Sequence, residues 1–303
     1  LAATAALAGY IAYERDRLDP ATLDPARYPG AAALAEALEV APADFVPSTL
    51  DAADDRDPSL SDECNQSMEG YELIRCDFAG GELLPGPAEP ETGPTIVMYG
   101  GSKIWHWLPA MRDAAERNGW HLITFIKNAC IIATEQPNPD EERYRSCAAW
   151  NDTAVEAIAD IAPDVVFTYG SRVGYDAVES FPAYDERYEQ LLASGAEVVA
   201  VRDTPSPRFD VPTCVDLEGA AECAVDRDAY YPDRDAFAEL DVPDGVHKLD
   251  LTDYICGPAE CAPVVGNILV YRDDAHLTNT YAATLAPYLE AEMLAVLAAP
   301  DRP

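Results

Sequence analysis

Five short apolar runs alternate with helical repeats along the chain from residue 94 onward. The runs are rich in β-branched residues and contain few polar ones, which is typical of parallel strands covered on both faces. In chain order they read TIVMYG, HLITFI, DVVFTYG, EVVAVRD and NILVYRD. Alternating strands and helices with short connections predict an α/β fold, in which helices flank a doubly wound parallel sheet.

Two of the intervening segments have the spacing of amphipathic helices. Their apolar positions are Ile104, Leu108, Met111 and Ala115 in the first segment, and Ala154, Ile158 and Ile161 in the second. The first helix is predicted to be long, to begin near Ser102 and to end at Asn118-Gly119, a pair typical of a left-handed cap. The second is predicted to end before Pro163.

Residues 14–93 lack this alternation and are rich in Pro, Ala, Asp and Glu. This composition interrupts regular elements, so we predict an irregular extension with a short helix near Ala31 to Leu38. The first 20 residues are an apolar segment followed by charges. At about 1.5 Å per residue, that segment is too short to cross a hydrocarbon layer about 30 Å thick. It is either an amphipathic helix or the trailing part of a membrane helix.

The chain is strongly acidic. Its 303 residues include 55 Asp and Glu against 20 Lys and Arg, which gives a net charge of -35 at pH 7. Such a surface repels phosphate backbones and anionic lipid head groups, so nucleic acid is not expected as a partner. A hydrophobic fraction of 49% is sufficient for a sizeable core.

The eight cysteines fall into four couples that are close in sequence. The couples are Cys64 with Cys76, Cys130 with Cys147, Cys214 with Cys223, and Cys256 with Cys261. An even number in this pattern favours disulfides and an oxidising compartment, although the connectivity cannot be read from the sequence alone. A metal site is not predicted, because the chain has no C-x-x-C motif and its four histidines are scattered.

Ser102 follows the first apolar run through two glycines, Gly100 and Gly101. The glycines permit a tight strand-to-helix turn, and the carboxyl end of a parallel strand is where such sheets bind ligands. A serine at a helix start is either the helix cap or a nucleophile in the field of unsatisfied N–H groups, and the local sequence favours the cap. The spacing matches neither G-x-G-x-x-G nor a P-loop, so no nucleotide cofactor is predicted.

A nucleophilic serine needs a general base and a group that orients it. His276 is the best candidate base, since it follows the last apolar run, and Asp273 precedes it at a spacing that lets a carboxylate reach the imidazole. The alternative is a helix start with Asp273 or Asp274 as its cap. His106 is expected to pack or to face solvent. His121, which opens a strand, and His247, which precedes one, are expected to be structural.

Several segments resemble one family. They are VMYGGSKIWHWLPAMRDAAERNGWHLITFIKNAC, IAPDVVFTYGSR, VVAVRDTPSPRFDVPTCV and YRDDAHLTNTYAATLAPYL. Together with the cysteine couples, they resemble the SGNH domain at the C-terminus of bacterial membrane O-acyltransferases of the acyltransferase-three type, over roughly residues 60–295. The resemblance implies an SGNH-hydrolase-like fold. It also favours residues 1–60 as the end of a membrane helix with a linker, and residues 61–303 as the catalytic domain.

The resemblance also implies site residues. Ser102 matches the family's nucleophile, and Asp273 and His276 match its Asp-x-x-His motif. Members usually carry Gly-Asp-Ser, whereas this chain has Gly101 in place of the Asp, which puts the rigidity of the turn in question.

Oxyanion donors are expected at the Ser102 N–H and around Gly170, Ser171 and Arg172, where Arg172 replaces the usual Asn. Asn128 is a weaker candidate. Lys103 is expected to be a solvated lysine at the helix start.

The function expected from these residues and the resemblance is serine O-acyl transfer. The domain would take an acyl group, expected to be acetyl, onto Ser102 and pass it to a cell-surface carbohydrate. The resemblance implies a membrane acyltransferase domain that delivers the acyl group and tethers this domain to the extracytoplasmic face of the membrane. No cofactor is predicted. The alternatives are a carbohydrate O-acetylesterase, which shares the acyl-enzyme, and a degenerate, non-catalytic glycan-binding module.

Overall fold

The computed structural model of the chain describes residues 22–57, 63–79, 82–88, 92–174 and 178–298. The apolar N-terminal segment on which the membrane-helix hypothesis depends lies outside these residues. In the described part of the chain, every helix is too short or too polar to cross a membrane.

A seven-stranded sheet forms the centre of the fold. Its strands are β1 (Cys76–Ala79), β2 (Glu82–Pro85), β3 (Thr95–Gly100), β4 (His121–Ile126), β5 (Val165–Tyr169), β6 (Glu197–Val201) and β7 (Val246–Leu249). Their spatial order is β7-β6-β5-β3-β4-β1-β2. The strands from β7 to β4 are parallel, whereas β1 is antiparallel to both β4 and β2. The predicted α/β fold is confirmed, with a mixed rather than wholly parallel sheet.

The helices that accompany the sheet vary widely in length. They are α1 (Ala32–Ala35), α2 (Ser102–Trp105), α3 (Leu108–Asn118), α4 (Glu142–Ile161), α5 (Asp185–Leu192), α6 (Val211–Glu218), α7 (Arg227–Tyr230), α8 (Ala236–Glu239), α9 (Asn279–Thr284) and α10 (Ala286–Leu297). Both α9 and α10 contact α3, so the C-terminal end of the chain packs beside the segment that follows β3.

The strand order reverses at β3. From β3 the chain passes to β4 on one side and then returns to β5 on the other side. Because crossovers between parallel strands are right-handed, these two connections place α3 and α4 on opposite faces of the sheet. In open α/β sheets the crevice beyond the carboxyl ends of the strands at such a reversal is the usual ligand site. Ser102 begins the helix just beyond this end of β3.

The four apolar runs at β3, β4, β5 and β6 are strands as predicted, and their residues are almost entirely buried. The fifth run is not part of this sheet. Ile268–Leu269 instead pairs antiparallel with Val264–Val265, and β7 is the fifth parallel strand. Gly266 and Asn267 both have positive φ, as a two-residue hairpin turn requires, so this Gly-Asn pair directs the run into a hairpin.

The predicted long helix from Ser102 is two helices, α2 and α3, with a break after Trp105. Pro109 lies in the first turn of α3. A proline inside a continuous helix would clash with the carbonyl group four residues earlier, which belongs to Trp105. The end of α3 was predicted correctly, since Gly119 adopts the left-handed conformation with φ 64.

The segment 14–93 is more regular than its composition indicates, because it supplies β1 and the edge strand β2. Only the short helix α1 was predicted there. These strands are four residues long, too short for a clear alternation of apolar and polar positions. The antiparallel pairing of Cys76 and Asp77 with β4 fixes their place in the sheet.

All four cysteine couples form disulfides, and no free cysteine remains among the described residues. Cys64–Cys76 fastens the N-terminal segment to the start of β1. Cys130–Cys147 joins the loop after β4 to α4.

Removing the Cys130–Cys147 bridge by Cys130→Ser with Cys147→Ser should lower the stability of the fold. The bridge spans 17 residues, and closing a loop of about that length contributes about 3 kcal/mol. The matched control is Cys256→Ser with Cys261→Ser, whose bridge spans 5 residues and should contribute about 2 kcal/mol. Thermal unfolding without reductant measures both effects. The expectation would be contradicted if removing the Cys256–Cys261 bridge lowered stability as much as removing the Cys130–Cys147 bridge.

Candidate active site

Two segments that are distant in the chain meet at the carboxyl end of β3. The Ser102 Oγ lies 2.8 Å from the Nε2 of His276, a hydrogen-bond distance between residues 174 positions apart. Ser102 is not the helix cap that its local sequence favours. Gly101 is the N-cap of α2, and the Ser102 side chain contacts the imidazole instead.

Asp273 holds the other side of the imidazole. Its two carboxylate oxygens lie 3.0 and 2.9 Å from the Nδ1 of His276. A carboxylate there favours the tautomer with the proton on Nδ1, which leaves Nε2 to accept the Ser102 hydroxyl proton. Burial acts to raise the pKa of Asp273, but the hydrogen bond and charge of His276 and the Ala275 N–H bring it well below its ordinary value.

The turn that carries Asp273 and His276 is fixed by its own hydrogen bonds. The Asp273 Oδ1 accepts the N–H of Ala275 at 2.9 Å and that of His276 at 2.7 Å. The alternative of a helix cap at Asp273 or Asp274 is wrong, because Thr278 caps α9 through the N–H of Tyr281. The two side chains therefore meet across a tight turn rather than along a helix.

Gly101 has no room for a side chain. A Cβ at this position would lie 2.8 Å from the Tyr169 hydroxyl, 2.9 Å from the carbonyl oxygen of Cys130 and 3.0 Å from that of Lys127. The Tyr169 hydroxyl also accepts the Gly101 N–H at 3.0 Å. The buried tyrosine at the end of β5 thus supports the turn before Ser102, a contact that no pattern in the sequence predicts.

The prediction of a solvated Lys103 is wrong, because only 14% of its side chain is exposed. Its Nζ donates to the carbonyl oxygen of Ala275 at 2.8 Å, which lies in the turn between Asp273 and His276. Its other contacts are Thr204 Oγ1 at 2.8 Å, Ser206 Oγ at 3.0 Å, Thr204 O at 3.1 Å and Asp203 Oδ1 at 3.3 Å. Burial lowers the pKa of Lys103, and the Asp203 charge opposes this. One ammonium group therefore connects the Ser102 helix, the His276 turn and the loop after β6.

Asp203 is a buried carboxylate that the sequence reasoning missed. It follows β6, and its oxygens accept the N–H groups of Val173 and Thr204, both at 2.8 Å. Its position after an apolar strand, at the carboxyl edge of the sheet, is a signal that could have identified it. Asp203 joins the ends of β5 and β6 beside Lys103.

Some of the residues predicted as oxyanion donors already make other hydrogen bonds. The Gly170 N–H donates to Val201 O at 2.7 Å, so the sheet already uses it. The Ser171 side chain is buried, and its Oγ accepts the Asp203 N–H at 3.0 Å. Arg172 lies in a two-stranded ladder with Ser180. The Asn128 Oδ1 accepts from the side-chain nitrogen of Asn65 at 3.1 Å, while the side-chain nitrogen of Asn128 has no hydrogen-bond partner among the described residues.

The other histidines do not hydrogen bond to Ser102. The Nε2 of His121 lies 2.9 Å from Asp77 and that of His247 lies 2.7 Å from Glu197, so both histidines are structural as predicted, although His247 lies within β7 rather than before a strand. His106 is buried, and its ring centroid lies 6.3 Å from that of His276.

The profile of the "SGNH domain (fused to AT3 domains)" family matches residues 63–291. The chain belongs to this family, as the sequence resemblance predicts. Membership supports acyl transfer or ester cleavage as the class of reaction, and the fusion to AT3 domains implies a membrane acyltransferase as the partner domain. Together with the four disulfides, it indicates an extracytoplasmic domain.

Two solved structures are similar in part. The periplasmic domain of a lipopolysaccharide acetyltransferase from Salmonella ser. Paratyphi A is 12% identical, with 67% of this chain and 85% of that chain covered and a TM-score of 0.48. The esterase domain of a Rhodothermus marinus protein is 13% identical, with 73% and 96% covered and a TM-score of 0.26. Comparison with curated proteins finds no match.

Gly101→Ala should lower both stability and turnover. The new Cβ would overlap two main-chain oxygens, and overpacking of this kind costs about 1–3 kcal/mol. Gly101→Asp, which would restore the residue usual in the family, should be worse because it adds a buried charge. The control is Gly257→Ala, where the nearest atom to a Cβ is 3.4 Å away. Thermal unfolding and hydrolysis of 4-nitrophenyl acetate measure the effects. Full turnover by Gly101→Asp would disprove this account of the turn.

Lys103→Met should lower turnover at least about tenfold and destabilise the fold. The change leaves Asp203 without its cation, and removing one partner of a buried pair costs about 3–5 kcal/mol. Lys248→Met is the control, since Lys248 also donates to two carbonyl oxygens, those of Ala238 and Leu240, but in another part of the fold. Turnover is compared at a temperature where both variants are folded. Equal turnover in the two variants would show that Lys103 does not position the site.

Proposed function

We propose that this domain is an extracytoplasmic serine O-acyltransferase that transfers an acyl group, expected to be acetyl, to a cell-surface carbohydrate. The observation that carries the proposal is the hydrogen-bonded chain from Asp273 through His276 to Ser102. This is the arrangement by which a serine hydroxyl becomes a nucleophile at neutral pH. Family membership supports the same class of chemistry.

In the first step, the His276 Nε2 takes the proton of the Ser102 hydroxyl as Oγ attacks the acyl carbonyl carbon. A bond forms between Oγ and that carbon, and the carbonyl electron pair moves to its oxygen. When the tetrahedral intermediate collapses, the bond to the donor's leaving group breaks and the leaving group receives the proton from His276. The acyl group is then an ester of Ser102.

In the second step, the acceptor hydroxyl gives its proton to His276 and its oxygen attacks the acyl carbon. The bond to the Ser102 Oγ breaks, and Oγ recovers the proton from His276. Asp273 keeps the imidazole in the required tautomer and stabilises its charged form in both steps. Its pKa, well below the ordinary value, keeps the carboxylate ionised throughout.

The negative charge on the carbonyl oxygen needs hydrogen-bond donors. We assign this role to the N–H of Ser102, at the start of α2, and to the side-chain amide of Asn128. The Asn128 backbone lies between Lys127 and Cys130, whose carbonyl oxygens border Gly101. Its side-chain nitrogen is therefore an available donor on the loop that packs against the turn.

The acyl donor in this proposal is the membrane acyltransferase domain that the family's AT3 fusion implies. Residues 1–60 would form the connection to that domain and residues 61–303 the catalytic domain. Tethering at the extracytoplasmic face of the membrane would keep the site near both the delivered acyl group and the carbohydrate.

Ester hydrolysis is the second candidate, and the exposure of the site favours it. The His276 side chain is 21% exposed and Ser102 is half-buried, so water can reach an acyl-serine. Without an acceptor, water would take the place of the sugar hydroxyl in the second step. The third hypothesis, a non-catalytic glycan-binding module, was prompted by Gly101. It is less well supported because Tyr169 fills the space of the missing side chain.

Ser102→Ala should reduce turnover of 4-nitrophenyl acetate by at least about a thousandfold and abolish the acetyl-enzyme. The acetyl-enzyme is measured by mass spectrometry of the intact protein after rapid acid quenching. Ser48→Ala, a change of an exposed serine in the N-terminal extension, should leave both signals intact. Product analysis with and without an oligosaccharide acceptor separates transfer from hydrolysis. An acetyl-enzyme that persists in Ser102→Ala would overturn the proposal.

A further inference from the structure

An open cavity of about 580 Å³ lies where the far part of the loop after β4 meets α4. The loop contributes Thr134 and Glu135 to its lining, and the helix contributes Tyr144, Ala149 and Asp152, among others. Small-molecule sites in proteins have volumes of about 300–1,000 Å³. The cavity is therefore large enough for a sugar unit.

The loop that lines this cavity also borders the catalytic turn. At its start, the carbonyl oxygens of Lys127 and Cys130 lie 3.0 and 2.9 Å from where a Cβ of Gly101 would be, and Gly101 directly precedes Ser102. Thr134 follows four residues after Cys130, and the Cα atoms of two such residues are at most about 14 Å apart. A short oligosaccharide with one unit at Ser102 could therefore extend into the cavity.

The loop wall of the cavity is fastened to the helix wall. The Cys130–Cys147 disulfide joins the loop to α4, and the side-chain nitrogen of Asn151 donates to the carbonyl oxygen of Ile131 at 2.8 Å. Both contacts precede the part of the loop that lines the cavity. The two walls are thus held in one arrangement before any ligand binds, which lowers the entropic cost of binding.

Two carboxylates of the lining can bind hydroxyl groups. The Asp152 side chain is 75% exposed, and the Nη2 of Arg187 lies 3.5 Å from its Oδ1. Glu135 is exposed, and its carboxylate makes no hydrogen bond or ion pair among the described residues. An ionised carboxylate only accepts hydrogen bonds, and its two oxygens together accept about four. Sugar hydroxyls are donors that match such acceptors.

Other parts of the lining are apolar. Pro139, Ala148 and Ala149 have small side chains, which leave the space of the cavity open, and Tyr144 supplies an aromatic ring. The Arg143 guanidinium carbon lies 4.5 Å from the centroid of that ring, and its Nη2 donates to the Tyr144 hydroxyl at 2.9 Å. A ring held in this way provides apolar surface at little entropic cost. Apolar surface beside carboxylates suits a sugar, which has C–H groups on its faces and hydroxyls at its edge.

A second tyrosine connects the cavity with the start of the loop. The Tyr71 hydroxyl donates to one oxygen of Glu142 at 2.7 Å, and Arg145, which lines the cavity, binds the other oxygen. On its other side, Tyr71 follows Gly70, whose carbonyl oxygen accepts from the Lys127 Nζ at 2.7 Å. Since Tyr71 is 48% exposed, it adds aromatic surface along this line of contacts.

The charge of the lining restricts the ligand. Two carboxylates, those of Glu135 and Asp152, face the cavity, whereas the charge of Arg145 is already balanced by Glu142. The chain as a whole has a net charge of -35. An anionic sugar would therefore be repelled from this cavity, and an uncharged or cationic one would not.

We propose that this cavity binds a sugar unit without negative charge, which belongs to the acceptor glycan but is not the unit that becomes acylated. Binding there would hold the glycan so that a hydroxyl of another unit lies at His276. The inference rests on the proposed function, because it assumes that the acceptor is an oligosaccharide or polysaccharide.

The test is equilibrium binding of four tetrasaccharides to the wild-type domain by titration calorimetry, with no acyl donor present. Maltotetraose and the N-acetylglucosamine tetramer are uncharged, the glucosamine tetramer is cationic, and tetragalacturonate is anionic. At least one of the first three should bind at least about tenfold more tightly than tetragalacturonate, because only the anion is repelled.

Ala149→Trp fills the cavity from an exposed position of α4 and should weaken the tightest binding at least about fivefold. Ala159→Trp is the matched control, the same change at an exposed alanine of α4 outside the lining, and should leave the affinity unchanged. Glu135→Ala, which removes an exposed acceptor of the lining, should also weaken binding. Thermal unfolding shows whether each variant is folded.

The inference would be overturned if none of the four tetrasaccharides binds, if tetragalacturonate binds as tightly as the best of the others, or if the folded cavity variants bind like the wild type. These outcomes are separate from that of the proposed function. If acetyl-Ser102 forms but no tetrasaccharide binds, only the assignment of the cavity fails. If binding that depends on the cavity is present but no acetyl-enzyme forms, the cavity is a glycan site and the proposed transfer fails.

Discussion

The buried ammonium of Lys103 is the constraint on which the geometry of the site depends. It follows Ser102 in sequence, yet it donates to Ala275 O in the turn of His276 and faces Asp203 at the end of β6. A buried amine without acceptors would lose its charge or leave the interior, so the three segments must converge for it to remain there. The same convergence places the hydroxyl and the imidazole 2.8 Å apart. Packing of α9 and α10 against α3 supports this arrangement from the C-terminal side.

The turn at Gly101, which follows β3, is supported by a residue of the neighbouring parallel strand β5. Members of the family usually carry an Asp at the position of Gly101, and this Asp would support the turn from within. Here support comes from β5, because the Tyr169 hydroxyl accepts the Gly101 N–H and fills the space beside it. The tyrosine is itself buried, so burial raises its pKa and keeps it neutral. A neutral hydroxyl adds no negative charge beside the turn that precedes Ser102.

Local signals in the sequence were enough for four strands of the sheet and for grouping the cysteines into the four couples that form disulfides. They singled out Asp273 and His276, but the family resemblance, rather than the local sequence, favoured Ser102 as their partner. Two wrong predictions had a visible signal in the sequence. Pro109 marks the break in the predicted long helix, and Gly266-Asn267 marks the hairpin turn at the start of the last apolar run. Others had none. The contact of Tyr169 with Gly101 and the contacts of Lys103 with Asp203 and Ala275 join positions far apart in the chain, and no periodicity or spacing records such contacts. The short strand β1 owes its place to pairing with β4, which is also a tertiary effect.

The turn from Asp273 to His276 is closed by hydrogen bonds within itself, and Arg272 N and His276 O close its base at 3.0 Å. It does not continue a strand of the main sheet, and the helix that follows has its own cap at Thr278. Asp273 and His276 thus form a small module that is held by hydrogen bonds within the turn and across its base. During evolution, the neighbouring hairpin and helix could lengthen, shorten or change sequence while the pair was inherited intact, provided that one lysine still anchored the module to the serine.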